Sequence, residues 1–198
     1  MAVGYTHAEN KWGKLPITIY DKDYSGKMVI QNMEYDTPPG RSYRYYTGRP
    51  LFPFGWGLSL TTFSHSCACK PSPSSAASPT ALEAVVVAAA GSDLSCSCTL
   101  KNTGARAGDE VIMAYDALSP GIRSGIGKAF PVPLKRLVAF ERTTVAAGAT
   151  ATVGFSIPTT SLTLTTASGA KELFKGTHNL IFSRGDHADD VTVPVVIA

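Results

Sequence analysis

The four cysteines are the residues whose spacing most directly suggests chemistry. They form two C-x-C units, Cys67/Cys69 and Cys96/Cys98. On a β-strand this spacing directs both thiols of a unit to one face, about 7 Å apart. The thiols could be free and act as small buried apolar groups, form two cross-strand disulfides in an oxidising compartment, or bind zinc as a Cys₄ site. Zinc-binding pairs usually have roughly two to four intervening residues, and the second unit alternates with leucines, so free buried thiols are favoured.

Acidic pairs could supply a catalytic acid and base, and the chain has four acidic clusters. Each cluster lies beside Gly, Ser or Pro, where Asp favours turns through hydrogen bonds to its own backbone. We therefore interpret all four as solvated turn residues. The clusters are Asp21/Asp23, Glu34/Asp36, Asp109/Glu110 and Asp186/Asp189/Asp190.

Other chemical motifs are absent from the sequence. The histidines His7, His65, His178 and His187 show no ligand spacing. There is no G-x-S-x-G nucleophile elbow and no Gly-rich phosphate loop. The sequence therefore predicts no catalytic residue, no metal and no cofactor in this chain.

Residues 40–63, with the sequence GRSYRYYTGRPLFPFGWGLSLTTF, combine seven aromatic residues with several Gly and Pro. Gly and Pro exclude one long helix or strand, whereas each ring brings roughly 150–250 Å² that favours burial. Docking against a neighbouring domain is the favoured use, because aromatic residues with Arg mark interface cores. Stacking on a sugar is the alternative. The candidate residues are Arg41, Tyr43, Arg44, Tyr45, Tyr46, Phe52, Phe54 and Trp56.

Size and charge limit the possible classes of protein. The chain has 198 residues, a net charge of +3 and 17% charged residues, with Lys and Arg spread along it. This distribution predicts no nucleic-acid partner. No segment reaches the ~18 apolar residues of a membrane span. The N-terminus also lacks the basic and apolar regions of a signal peptide, so the chain as written would start in the cytoplasm.

Period-two alternation, typical of half-buried strands, runs through residues 94–198. About seven short strands in roughly a hundred residues predict an immunoglobulin-like β-sandwich with little helix. A further strand is predicted at 15–20. Residues 70–93 are rich in Ser, Ala and Pro and are interpreted as a flexible insertion. Within this insertion, 82–90 could form a short helix or strand. The strands predicted for the sandwich are 94–100, 111–115, 137–141, 149–157, 162–166, 178–183 and 191–197.

The aromatic stretch closely resembles the segment that enters the C-terminal fibronectin type III-like domain of glycoside hydrolase family 3. The resemblance begins upstream at GKLPITIY (13–20), similar to the last strand of that family's α/β-sandwich domain. It resumes at KNTG (101–104), DEV (109–111) and LKRLVAFE (134–141). Residues 71–92 have no counterpart.

The resemblance implies three regions: residues 1–39 as a C-terminal remnant of the α/β-sandwich domain, 40–63 as an aromatic connector, and 64–198 as the fibronectin type III-like domain. In the family the nucleophile is an Asp on the barrel domain, and the acid/base is usually a Glu on the α/β-sandwich domain. Neither motif occurs here, and a barrel alone needs about 250 residues. The resemblance therefore implies a chain that is inactive by itself.

The expected function is that of a non-catalytic, stabilising region of a β-xylosidase- or β-glucosidase-like enzyme. Residues 20–48, 63–65 and 171–187 are more similar to the β-xylosidase branch, although Trp56 and the shortened link at 36–40 depart from its pattern. The implied partners are the barrel and α/β-sandwich domains, on the same or a separate chain. The parent family is often secreted. The alternative is a self-standing β-sandwich module that binds polysaccharide or protein.

Overall fold

The computed structural model describes residues 13–71, 86–88 and 91–198, and its architecture is mainly β. The prediction of a β-sandwich is confirmed. Two α-helices are short, α1 (Ser42–Tyr45) and α2 (Pro120–Ile126), and two 3₁₀ turns span Lys22–Tyr24 and Thr159–Leu162. The strands are β1 (Phe63–Pro71), β2 (Val86–Ala88), β3 (Asp93–Asn102), β4 (Gly108–Leu118), β5 (Arg136–Val145), β6 (Thr150–Pro158), β7 (Leu164–Thr165), β8 (Lys171–Glu172), β9 (Gly176–Ser183) and β10 (Val191–Ile197).

Two sheets form the sandwich. The first has three strands in the order β1-β3-β6, and the second has five in the order β2-β10-β9-β4-β5. The short β7 and β8 pair with each other. Alternate residues of each strand enter one core between the sheets, where the rings of Phe155 and Phe182 approach to 5.5 Å between centroids. On β3, the alternation seen in the sequence therefore predicts which face is buried. Strand β4 differs, because both of its faces are buried.

The favoured interpretation of the cysteines is wrong. Strands β1 and β3 pair antiparallel with Cys67 opposite Cys98 and Cys69 opposite Cys96, and both pairs are joined as disulfides. No cysteine in the described part of the chain is free. The alternation of small buried side chains is the same for thiols and disulfides, and only the register of the two strands distinguishes them.

The strand predicted at 15–20 is also absent as part of a sheet. Ile19 and Phe52 form an isolated antiparallel bridge, and further backbone hydrogen bonds join Leu15 to Gly55 and Trp56. A strand needs a continuous hydrogen-bonded neighbour, and Pro at position 16 removes one backbone donor. These residues therefore bend at Pro16 and Ile17 and lie against the connector instead of entering a sheet.

The interpretation of 70–93 as a flexible insertion falls largely outside the described residues, which omit 72–85 and 89–90. Most of the described parts of this region are strand. Residues 70 and 71 end β1, Val86–Ala88 form β2, and Asp93 begins β3. Strand β2 pairs parallel with β10, so this short piece is an edge strand of the five-stranded sheet.

Strand β4 is the strand most enclosed by the fold. Its residues Ile112 and Ala114 face the core between the sheets. Met113 and Tyr115, on the opposite face, are also buried, because residues 13–62, here called the N-terminal segment, cover that side of the sheet. The segment is therefore a third layer, placed on the outer face of the five-stranded sheet.

Candidate docking surface

The connector packs on the sheet through Tyr43 and Phe54. Their rings are stacked with centroids 4.4 Å apart, and Tyr43 meets Tyr115 of β4 edge-on at 5.8 Å. The Tyr43 hydroxyl also accepts a hydrogen bond from the backbone N–H of Leu137 at 3.2 Å. The guanidinium of Arg44 lies 5.9 Å from the Tyr43 ring centroid. Two of the predicted docking residues therefore hold the connector to the sandwich of this chain.

A second ring cluster joins the connector to the turn before it. Tyr20 and Tyr24 stack at 3.8 Å, and Tyr46 meets both edge-on at 4.9 and 5.4 Å. The hydroxyl of Tyr24 donates to the carbonyl of Gly40. Burial, together with the neighbouring Tyr20, raises the pKa of Tyr24 to about 12. These rings stabilise the N-terminal segment from within.

The remaining predicted residues have separate positions. Phe52 and Trp56 form a tilted pair at 4.5 Å. Arg41 donates to the carbonyl of Val29, and burial raises the pKa of Tyr45. The structure thus distributes seven of the eight predicted residues over four separate contacts within the chain, and does not gather the eight into one sugar-binding platform.

The backbones of Gly55 and Gly185 touch at the centre of this contact. Both residues have positive φ, 86° and 101°, a region that L side chains rarely adopt. A Cβ added at Gly185 would lie 1.8 Å from the carbonyl oxygen of Gly55. Only glycine at position 185 permits this approach of the connector to the loop after β9.

A charged cluster, missed in the sequence analysis, lies beside this contact. Lys14 pairs with Glu110 at 2.7 Å and donates to the carbonyl of Arg184. Arg184 bonds to Glu110 at 3.3 Å and to Asp189 at 2.5 Å. Burial lowers the pKa of Arg184, but Asp189 and Glu110 raise it by more, so the net pKa is raised. The cluster ties the start of the segment to the sandwich.

The interpretation of Glu110 as a solvated turn residue is therefore wrong. Its side chain is 4% exposed, and it lies on β4 two residues before the core residue Ile112. The period-two spacing from Ile112 was the available signal, because it places Glu110 on a buried face. A buried carboxylate requires cationic partners, which Lys14 and Arg184 provide.

A second cluster of ionisable side chains, formed by Asp116, Arg136 and His178, links β4, β5 and β9. His178 Nδ1 lies 2.9 Å from Asp116 Oδ1, and His178 Nε2 lies 2.9 Å from the carbonyl oxygen of Phe174. Arg136 donates to Asp116 at 2.8 Å. Burial lowers the pKa of His178, but the hydrogen bond and charge of Asp116 and the Phe174 carbonyl outweigh it, so the net pKa is raised. Every polar atom of this imidazole is paired, which makes it a structural group.

The N-terminal segment presents many apolar side chains to solvent. Eight of the eleven exposed large hydrophobic residues in the described part of the chain belong to this segment. Exposed apolar surface concentrated in one region is typical of interaction sites. We call these eight residues the docking surface: Ile17, Val29, Ile30, Met33, Tyr35, Leu51, Leu58 and Leu60.

Within the described residues, no group of three or more His, Cys, Asp or Glu side chains could hold a metal ion. His65 Nε2 lies 3.2 Å from the carbonyl oxygen of Phe182, and His187 Nδ1 lies 3.0 Å from Asp190. None of the described helices is long and apolar enough to cross a membrane.

Comparison with known proteins shows which class of domain the sandwich belongs to. A family profile described as "Fibronectin type III-like domain" matches residues 124–183, within the sandwich. A β-glucosidase structure from Erythrobacter marinus has a TM-score of 0.63 at 23% identity, over 93% of this chain and 22% of that one. The chain thus contains a fibronectin type III-like domain.

Curated relatives define the family. The exo-1,4-β-xylosidase bxlB of Emericella nidulans is 34% identical over 88% of this chain and 22% of its own length. The xylan 1,4-β-xylosidase of Xylanibacter ruminicola is 33% identical over 86% of this chain and 18% of its own length. The chain therefore spans about a fifth of these relatives. It corresponds to a C-terminal region of glycoside hydrolase family 3.

Proposed function

We propose that this chain is the non-catalytic accessory region of a β-xylosidase- or β-glucosidase-like enzyme, and that it stabilises the catalytic domains by docking on them. The observation that carries the proposal is the exposure of eight large apolar side chains on the N-terminal segment. The segment is joined to the sandwich through Tyr43 and Phe54, and the docking surface is exposed to solvent. The second body that covers this surface would be the barrel and α/β-sandwich domains, on the same or a separate chain.

We also propose the three-region division of the chain. Residues 1–39 would complete the α/β-sandwich domain, and 64–198 would form the fibronectin type III-like domain. Residues 40–63 would connect these two domains. The start of β1 at Phe63 and the profile match at 124–183 support the last boundary. The first boundary rests on the resemblance of residues 13–20 and of the connector at 40–63 to the family.

The relatives suggest the substrate and compartment of the assembled enzyme. Two of them are named as xylosidases, so β-xylosides are proposed first and β-glucosides second. The two disulfides between β1 and β3 support a location in an oxidising compartment, where such bonds persist.

A chimera tests the accessory role. This chain would replace the matching C-terminal region of the Emericella nidulans bxlB enzyme, and a version lacking that region would serve for comparison. We expect the deletion to lower both the melting temperature and the hydrolysis of an aryl β-xyloside, and the chimera to recover them. A deleted enzyme that keeps its stability and activity would contradict the proposal.

Two serine substitutions in the chimera then test the docking surface. Leu58 and Phe140 are almost equally exposed, at 63% and 64%, but only Leu58 belongs to the docking surface. If Leu58 becomes buried in the interface, Leu58→Ser should destabilise the assembled enzyme by about 1–3 kcal/mol. Phe140→Ser, on the edge strand β5, should change it by less than about 0.5 kcal/mol. Equal effects of the two substitutions would show that the surface is wrongly assigned.

A further inference from the structure

Half of the docking surface belongs to one loop, residues 29–41, which is closed on itself by hydrogen bonds. The guanidinium of Arg41 donates to the carbonyl of Val29 at 3.0 Å, and the backbone N–H of Arg41 donates to the carbonyl of Tyr35 at 2.8 Å. The N–H of Asn32 also donates to the carbonyl of Val29, at 3.0 Å, and closes a tight turn. Compact surface loops whose ends lie close together are frequently functional.

Polar side chains brace this loop from within. The side-chain amide of Asn32 donates to Thr37 Oγ1 at 3.0 Å and accepts from the backbone N–H of Glu34 at 2.8 Å. The hydroxyl of Thr37 in turn donates to Glu34 Oε2 at 3.1 Å. These bonds favour one loop conformation before any partner binds. A loop ordered in advance loses less conformational entropy on binding, and its affinity is higher for that reason.

The apolar side chains of the same loop are exposed to solvent. Ile30 and Met33 are the two most exposed large hydrophobic residues in the described part of the chain, at 82% and 77%. Val29 and Tyr35 are also exposed. A loop with its polar side chains bonded to each other and its apolar side chains in water reverses the usual arrangement of a protein surface. Exposed apolar groups held in a fixed geometry are typical of an interaction site.

A pocket of about 360 Å³ lies beside this loop. Ile30 and Arg41 line it, together with Met28 and the stacked rings of Tyr20 and Tyr24. Its wall is mainly apolar, so an apolar side chain of a partner would fill it more favourably than water. The loop and the pocket together place a projection next to a recess. The partner surface must therefore have the reverse shape, with a groove for the loop and a side chain for the pocket.

Charged side chains around the loop indicate the rim of the partner surface. The chain as a whole has a net charge of +3, whereas residues 21–36 carry four acidic and only two basic side chains, all of them exposed. Interfaces pair surfaces of opposite potential, so the rim of the groove should be basic. The charged residues are Asp21, Asp23, Glu34 and Asp36, with Lys22 and Lys27.

The size of the related enzymes indicates what covers this surface. The chain spans about a fifth of its curated relatives, so an assembled enzyme of this family contains a much larger body. We infer that the 29–41 loop docks into an apolar groove with a basic rim on the catalytic domains, with Ile30 and Met33 as its anchors. The inference rests on the proposed accessory function and adds to it the anchor of docking and the chemistry of the partner surface.

Hydrogen exchange followed by mass spectrometry tests the inference on the complete 198-residue chain and on the chimera described above. We expect the amides of 29–41 to exchange about tenfold more slowly in the chimera, because the partner excludes water from them. Residues 167–170, an exposed turn of the sandwich, should exchange equally in both proteins. Equal exchange of 29–41 would overturn the inference. Protection that already appears in the isolated chain and grows with its concentration would overturn it too, in favour of a second copy of the chain as the partner.

Variants of the chimera test the anchor and its bracing, through the half-life of aryl β-xyloside hydrolysis at one elevated temperature. Ile30→Ser should shorten this half-life about tenfold, the factor expected when a buried Ile side chain is lost. Gln31→Ser, at the neighbouring exposed position, is the matched control and should change it less than about twofold. Thr37→Val keeps every apolar side chain but breaks the bracing, and should shorten it about two- to fivefold. Equal half-lives of Ile30→Ser and Gln31→Ser would refute the anchor.

Folding and the accessory function are tested separately from the loop. In the isolated chain, the three variants should leave the strand content measured by circular dichroism unchanged, because none of the three residues belongs to the core. Leu58→Ser alters the docking surface outside the loop. If it shortens the half-life and Ile30→Ser does not, docking stands and the loop is not its anchor. If deletion of the whole region has no effect, the accessory function itself fails.

Asp36→Lys tests the basic rim. Asp36 is exposed and lies within the loop, so its replacement would place a cation opposite the cations of the partner. The half-life of the chimera should fall about two- to fivefold, because like charges across an interface are unfavourable. An unchanged or longer half-life would refute the basic rim.

Discussion

The β-sandwich of residues 63–198 and the N-terminal segment of residues 13–62 differ in where their apolar side chains lie. In the described part of the chain, every buried apolar side chain is at Phe63 or later. The segment, in contrast, carries eight of the eleven exposed large hydrophobic residues. Its rings are only partly buried, against each other and against β4. The sandwich thus has a core of its own. The N-terminal segment has no buried apolar side chain, and its rings pack on each other and on strand β4 of the sandwich.

The two regions also use different means of stabilisation. The sandwich has strand pairing, two disulfides and the buried His178–Asp116 pair. The segment is joined to it by the Tyr43–Phe54 rings, the Gly55–Gly185 approach and the ion pairs of Lys14. This difference predicts that changes in the sandwich alter global stability, whereas changes at the contact detach the segment. The following predictions test that distinction, from the largest expected effect to the smallest.

Removal of both disulfides should have the largest effect. Cys67–Cys98 and Cys69–Cys96 close nearly the same loop, with sequence separations of 31 and 27 residues, so either bond alone would keep the unfolded chain constrained. The substitution of all four cysteines by Ala should lower the free energy of unfolding by about 2–4 kcal/mol, mainly because the unfolded chain is less constrained. Urea unfolding followed by circular dichroism measures this change.

The control for this prediction is the residue pair next to the disulfides on the same two strands. Ser66 and Thr99 face each other across the same two strands, and both are exposed. Their double substitution to Ala should change the free energy of unfolding by less than about 0.5 kcal/mol. A disulfide variant that loses no more than this control would mean that the sandwich does not depend on its cross-links.

The contact between the two regions should respond to Gly185→Ala. The added Cβ would meet the carbonyl of Gly55 at 1.8 Å, where only backbone could move. We expect a loss of about 1–3 kcal/mol and faster proteolysis within residues 13–62, because the connector must move away from the loop after β9. The strand content measured by circular dichroism should be retained.

Gly169→Ala separates steric conflict from backbone strain. Gly169 also has positive φ, at 84°, but an added Cβ would meet nothing within 4 Å. This control should lose about 1 kcal/mol from strain alone, with no change in proteolysis of the segment. If both variants expose the segment equally, the Gly55–Gly185 approach is not what holds the two regions together.

The same comparison explains how far sequence reasoning succeeds. The alternation of apolar and polar residues predicted most sandwich strands, because these strands bury a face in a core that the chain itself completes. It did not predict the ion pairs of Glu110 or the choice of disulfides, because both depend on register and on residues distant in sequence. The strand predicted at 15–20 lacks a sheet because its neighbour in the chain is the irregular connector, joined to it by the Ile19–Phe52 bridge and the backbone bonds of Leu15. Local pattern is informative where the chain supplies its own contacts.

The smallest predicted effect is a pH dependence that belongs to the sandwich. The net pKa of His178 is raised in the folded chain, above the value of about 6.5 in an unfolded chain. The protonated ring donates to both Asp116 and the Phe174 carbonyl, whereas the neutral ring can donate to only one. This stabilisation is complete below pH about 6.5 and is lost as the pH rises through the folded pKa. Each pH unit within that window should cost at most about 1.4 kcal/mol.

Thermal unfolding between pH 6 and 9 measures this effect, with His178→Gln as the control that removes the titrating group. The melting temperature of the wild type should fall with rising pH, and that of His178→Gln should change less, whatever its starting value. The N-terminal segment should not contribute, because the pKa of Tyr24 in its ring cluster is about 12. Proteolysis within residues 13–62 should therefore stay constant until the sandwich itself unfolds. A pH-dependent release of the segment in a sandwich that remains folded would contradict the division of stability between the two regions.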